Sequence, residues 1–207
     1  MATRSEHIVK SYDDELQRLR GEILGMGELA LEQLSGGMRA LEEGDPALAR
    51  RVVESDARID ALELEVSSDV LRLLALRNPM AGDLRGVLAS LRIAADVERI
   101  GDYAANVAKR SLALGVAEPR AAISGLSDMV DFASAMLREV LDAYAAGDAR
   151  RALAVRDRDI ELDERYNSLF RELLTYMMES PRVIGACTHF LFIAKNIERI
   201  GDHVTNI

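Results

Sequence analysis

Residues 91–107 read LRIAADVERIGDYAANV and residues 191–207 read LFIAKNIERIGDHVTNI; laid on one another without a gap, they agree at nine of 17 positions. Agreement of that density within one chain marks an internal duplication. In the first copy Ile93, Val97, Ile100, Ala104 and Val107 recur at three- and four-residue steps, which on a helix of 3.6 residues per turn makes one apolar seam. The duplicated unit is therefore a helix that must bury that seam against neighbours.

Working outward, the same spacing recurs. From Ser11, a candidate N-cap with Asp14 three residues on, apolar residues fall at Leu16, Leu19, Ile23, Met26, Ala30, Leu34, Met38 and Leu41. Gly44, Asp45 and Pro46 supply a stop, a cap and a first-turn proline, and a second helical pattern runs from there to Arg77, where Asn78 and Pro79 end it. A third helix is expected from about Met80 to Leu114, before a break at Gly115–Arg120 that contains Pro119. After the break Leu126, Met129, Ala133, Met136, Val140 and Tyr144 repeat the first seam, Gly147 and Asp148 repeat the turn, and Ser180 with Pro181 repeats the second stop. The expected fold is all-α, six long helices in two repeated three-helix bundles: residues 1–114, a linker at 115–121, and residues 122–207.

Composition agrees. The chain of 207 residues is 49% hydrophobic, which excludes a disordered polypeptide, while 4% aromatic content without tryptophan disfavours a β-sandwich. A net charge of −9 disfavours nucleic acid and bare anionic lipid as partners and favours a cation or a basic protein surface. The lone Cys187 cannot form an internal disulfide, and the charged opening MATRSEHIVKSYDDE lacks the apolar core of a signal peptide, so a cytoplasmic protein is expected. The longest apolar run, near Phe190–Ala194, falls far short of the roughly 18 residues of a membrane span, which leaves the membrane reachable only through partners.

The chemistry sits on the face opposite the seam. Both copies contain Glu-Arg-Ile-Gly-Asp, which puts Glu98 with Asp102 and Glu198 with Asp202 at i and i+4, on one helix face. Ala94, Ala95, Gly101 and Ala105 flank the first pair and leave a shallow trough, with Asn106 or Asn206 one turn further on. The preceding helix of each half carries a second acidic set, Asp56, Asp60 and Glu63 in the first, Asp157, Glu161 and Glu164 in the second. Antiparallel packing would bring the sets together, and crowded carboxylates call for a hard cation such as Mg²⁺, Mn²⁺, Ca²⁺ or iron. A merely solvated helix face requires only polarity, yet both copies keep Glu, Arg, Gly, Asp and Asn in register.

These duplicated segments, with Leu76-Arg77-Asn78-Pro79 followed by Ala81 and Asp83-Leu84-Arg85, resemble the PhoU family of phosphate-signalling regulators over nearly the whole chain. The resemblance implies two three-helix bundles carrying E(D)xxxD motifs that bind multinuclear metal clusters of iron, zinc, manganese or magnesium. It maps metal ligands onto Asp56, Asp60, Glu98 and Asp102, and onto Asp157, Glu161, Glu198 and Asp202. Asp157-xxx-Glu161 inverts the usual acidic order, and Asp159 and Asp163 compete for the same role. The family usually continues the last helix by several turns beyond the position of Ile207, so a shortened form is expected. The implied function is that of a non-enzymatic adaptor, a homodimer that represses the phosphate-starvation response by contacting the ATPase subunit of the phosphate ABC transporter and a phosphate-sensing histidine kinase. The alternative is a carboxylate-bridged, metal-dependent phosphohydrolase.

Weaker signals point to packing. No Glu-x-x-His pair of the di-iron type and no Gly-rich phosphate loop is present. Cys187 and His189 splay apart on their helix, His203 points about 100° away from Asp202 and reads as a polar surface residue or a ligand, and Arg99 and Arg199 read as salt-bridge partners along the helix or as contacts for phosphate or an acidic partner.

Overall fold

The structure is a computed structural model that describes residues 4–77, 79, 81–114 and 120–207, with residues 4–11 and 81 as backbone only. The expected stop at Asn78, the start at Met80 and most of the break after Leu114 lie outside the described residues. In chain order the helices are α1 (Arg4–Glu43), α2 (Pro46–Arg77), α3 (Ala81–Ser111), α4 (Arg120–Ala146), α5 (Ala149–Asp157), α6 (Asp159–Glu179) and α7 (Ile184–Val204), with a 3₁₀ turn at Pro181–Val183. No strand occurs among the described residues. The all-α reading holds, with two adjustments: α1 begins at Arg4 rather than Ser11, and the long helix expected after Gly147 is broken into α5 and α6. The break is slight. Arg158 keeps a right-handed helical backbone, but the Arg158 N–H bonds the Val155 carbonyl and the Glu161 N–H bonds the Arg158 carbonyl, a local tightening to three-residue closure.

The duplicated turns are built identically. Gly44 and Gly147 take φ of 64° and 66°, left-handed values that any side chain would resist. The next residue caps the following helix: Asp45 Oδ1 accepts from the backbone N–H groups of Ala47 and Leu48, and Asp148 Oδ1 accepts from that of Arg151.

Every residue of the α1 seam from Leu19 to Leu41 is buried, as are Ile93, Val97, Ile100, Ala104 and Val107 on α3 and Leu126, Met129, Ala133, Met136 and Val140 on α4. One hydrophobic core runs unbroken through both halves, because α3 packs on α7 and α1 on α4 as well as on the helices of their own half. The core joins residues on both sides of the expected linker at 115–121.

The α3–α7 seam is antiparallel. Asn206 Nδ2 donates to Asp96 at 3.1 Å, Arg199 donates to the Tyr103 hydroxyl at 3.1 Å, and the Arg110 guanidinium lies 4.2 Å from the centroid of the Phe192 ring, so contacts step down one helix as they step up the other. His203 belongs to this seam, its Nδ1 2.7 Å from Asp96 and its ring 5.6 Å from that of Tyr103. It is therefore a bridge between halves.

Candidate metal centre

In the first half α2 and α3 bring together the four carboxylates read from the sequence. Burial pushes the Asp56 carboxyl above the usual range against a hydrogen bond from Gln33, and the charges of Asp102 and Asp60 push the same way. Burial likewise raises Glu98, helped by Asp102, Asp60 and Glu63 and opposed by Arg99. Asp102 and Asp60 thus act on both Asp56 and Glu98, as close approach of α2 and α3 requires. Gly101 makes the approach possible: a Cβ there would lie 2.8 Å from Ile59 Cδ1, 3.2 Å from Gln33 Oε1 and 3.6 Å from Asp56 Oδ1. Arg99 bridges Glu98 at 3.5 Å and Asp102 at 3.0 Å along the helix, as its position predicts. A cleft of about 620 Å³ lined by Arg92, Asp96, Glu98 and Arg99 opens beside this trough.

In the second half the register differs from the sequence reading. Asp157 ends α5 with a side chain 76% exposed against Arg156, and Glu161 turns outward to Arg165. The residue that meets Glu198 and Asp202 is Asp159, with Asp163 beside it. Burial, together with the charges of Asp163, Asp202 and Glu198, raises the Asp159 carboxyl to about 6. A Cβ on Gly201 would lie 2.7 Å from Asp159 Oδ1, which fixes that contact geometrically. Asp159 opens α6 just after Arg158 closes back on Val155, and it stands on the face toward α7. A signal for this was present in the sequence: counting from the Gly44–Asp45 and Gly147–Asp148 turns carries Asp56 onto Asp159 and Asp60 onto Asp163.

No group of three His, Cys, Asp or Glu side chains among the described residues stands close enough to hold an ion in its present rotamers. The donors nevertheless fit one. Carboxylate charge is under-compensated in both troughs, the oxygens are hard ligands, Gly101 and Gly201 leave the floor bare, and Glu198 Oε2 is buried without a hydrogen-bond partner. Asp102, with 37% of its side chain open to solvent, has room to leave Arg99 for another rotamer.

The raised Asp159 predicts a pH effect. A carboxyl whose folded value of about 6 exceeds the ordinary 3.8 that it has in the unfolded chain keeps its proton longer when folded, so its contribution favours folding at low pH and is lost as pH rises from 3.8 to about 6. Asp159→Asn should stabilise the metal-free protein at pH 7 by about 1 kcal/mol, allowing for solvent screening, and change little near pH 4. Urea denaturation with chelator at both pH values measures it; equal effects at the two would refute the burial argument.

The PhoU domain family model matches residues 23–111 and 126–207, one match on each half. This chain belongs to the PhoU family. It is 55% identical over 201 residues to the phosphate-specific transport system accessory protein PhoU homolog of Xylella fastidiosa strain 9a5c, covering 97% of this chain and 85% of that protein. It is 49% identical over 204 residues to the homolog of the same description in Caulobacter vibrioides strain NA1000, covering 98% and 89%. Among solved structures it superposes on PhoU from Pseudomonas aeruginosa with a TM-score of 0.90 at 36% identity, covering 94% of each chain. The phosphate transport system regulatory protein PhoU from Streptococcus pneumoniae gives 0.86 at 31%, covering 94% of this chain and 92% of that one. A PhoU-family chain is thereby tied to regulation of phosphate transport, and no described helix here is long and apolar enough to cross a membrane.

Proposed function

We propose that this PhoU-family protein is a non-enzymatic negative regulator of the phosphate-starvation response. It contacts the ATPase subunit of the high-affinity phosphate ABC transporter and the phosphate-sensing histidine kinase, working in the cytoplasm and reaching the inner membrane through these partners. The observation that carries the reading is the near full-length likeness, in both halves, to proteins described as accessory to phosphate transport. A duplicated fold offers two similar faces, which suits an adaptor between two partners. A homodimer belongs to the proposal, supported by Phe170, Leu174 and Met178, exposed one helical turn apart on α6.

Metal ions, of iron, zinc, manganese or magnesium, would be held by Asp56, Asp60, Glu98 and Asp102, and by Asp159, Asp163, Glu198 and Asp202. When bound they would supply positive charge that ties α2 to α3 and α6 to α7, fixing the outer faces that partners meet. Asp157 and Glu161, implied by resemblance, are displaced from that role by their outward placement.

A second reading, a metal-dependent phosphohydrolase, draws on one observation, the Asp159 carboxyl held to about 6, where it could donate a proton near neutrality. Deleting the gene separates the two. The adaptor reading expects phosphate-starvation genes to be expressed in phosphate-rich medium, with purified protein binding the kinase sensor region or transporter ATPase and losing on-rate as salt rises. Intact repression after deletion, together with hydrolysis of phosphate esters by metal-loaded protein, would replace it with the hydrolase.

A further inference from the structure

We propose that the two acidic troughs are unequal: the first is the principal divalent-cation site, organised by the Gln33 amide, whereas the second already holds a cation of its own, the ammonium of Lys195. The inference rests on the metal reading above and goes beyond it by ranking the sites.

Gln33 lies on α1 beneath the first trough and is 3% exposed. Its Nε2 donates to Ser55 Oγ at 3.3 Å and to Asp56 Oδ1 at 3.4 Å, which uses both amide hydrogens. A carboxylate accepts only, and the Ser55 hydroxyl is spent on the Val52 carbonyl at 2.7 Å, so the amide cannot be turned around without losing both bonds. Gln33 Oε1 is left buried with no partner, 3.2 Å from the point where a Gly101 Cβ would stand. A buried, unsatisfied oxygen beside an under-compensated carboxylate cluster is what a cation or its bound water requires. Glu63 adds a fifth carboxylate from α2, near enough to raise Glu98.

The repeat removes Gln33, Ser55 and Glu63 from the second trough, which keeps one buried unpartnered oxygen of its own carboxylates, Glu198 Oε2. Gln33 corresponds to buried Met136, Ser55 to Arg158, which turns away to Glu139 at 2.8 Å, and Glu63 to Tyr166. At the position of Ala95 the second half has Lys195. Its Nζ donates to Glu198 Oε1 at 2.5 Å and lies 5.4 Å from the centroid of the Tyr166 ring. An ion seated on Glu198 and Asp202 must expel this ammonium or tolerate a like charge beside it, and either lowers affinity. Lys195 is 43% exposed and able to swing out, so the second trough is weakened rather than closed.

Titrating metal-free protein at pH 7 with Mn²⁺, by calorimetry and by loss of the free-ion EPR signal, tests this. Glu98→Gln with Asp102→Asn should remove the tighter binding, while Glu198→Gln with Asp202→Asn should leave it nearly intact. In the background lacking the first trough, Lys195→Met should tighten Mn²⁺ binding by about tenfold or more, and Lys195→Arg, which keeps the charge, should not. Gln33→Met, which copies the residue of the second half, should weaken the first trough severalfold with unchanged helical circular dichroism. Equal affinity at the two troughs, or no gain from Lys195→Met, overturns the ranking while leaving metal binding in place. An absence of Mn²⁺ binding in every variant overturns the metal reading, and the ranking with it.

Discussion

Phe190→Ala should cost about 3–5 kcal/mol, a large share of the roughly 5–15 kcal/mol that holds an ordinary domain together. Phe190 is fully buried on α7 and is the largest side chain so placed. The repeat places a much smaller residue at the matching point. The corresponding position on α3 is Ser90, whose hydroxyl lies 3.3 Å from that of Tyr144 on α4 and donates to the Gly86 carbonyl at 3.1 Å. Tyr144 in turn corresponds to Leu41 on α1. Phe190 sits in a close-packed continuous core, so its truncation leaves a cavity that the surrounding side chains fill only in part. Because the core is continuous, the loss should appear as one cooperative transition displaced to lower denaturant, read by fluorescence of the tyrosines and by circular dichroism alike. A loss below about 1 kcal/mol would show that the α4–α7 packing is loose.

Gly201→Val should be nearly as damaging and should also disable the trough. A Cβ at that point would meet Leu162 Cδ2 at 2.5 Å and Asp159 Oδ1 at 2.7 Å, and a branched side chain adds two more carbons in the same space. Leu162 is itself fully buried and has nowhere to retreat, so α6 and α7 must part, at a cost of about 2–3 kcal/mol or more. Asp159 moves with α6, out of reach of Glu198 and Asp202. Denaturation midpoints measure the first effect, and Mn²⁺ stoichiometry measures the second. Gly101→Val should lose less stability if Gln33 and Ile59 can shift, since its nearest obstruction is the Ile59 Cδ1 at 2.8 Å.

The helices were legible because each carries its own evidence: a seam repeated every three or four residues from Leu19 to Leu41 and again from Leu126 to Val140 can be counted locally, and those residues are buried. The first trough was legible for a related reason, since Glu98 with Asp102 and Asp56 with Asp60 are i, i+4 pairs on adjacent antiparallel helices. Asp159 was harder because α5 and α6 hold acidic residues at closely spaced positions, and only counting from the Gly147–Asp148 turn against Gly44–Asp45 singles it out. Gln33 and His203 act across helix boundaries, Gln33 from α1 under α2 and His203 from α7 onto Asp96 of α3. No period within a helix encodes such contacts. The i, i+3 pairing of Lys195 with Glu198 was open to counting, but its meaning depends on Ala95 standing at the same point of the other copy.

The antiparallel α3–α7 seam also sets an order of events during synthesis. Helices α1, α2 and α3 leave the ribosome first and hold mostly local contacts, so they can associate at once. The face of α3 bearing Asp96, Tyr103 and Arg110 must wait for α7, which follows more than seventy residues later, a delay of roughly 4–15 s at about 5–20 residues per second. Throughout that interval a nascent chain presents an uncovered surface that any finished α7 fits, including one from a neighbouring chain on the same message. Crowded translation should therefore favour exchange of second halves between copies, yielding intertwined dimers with every native contact satisfied.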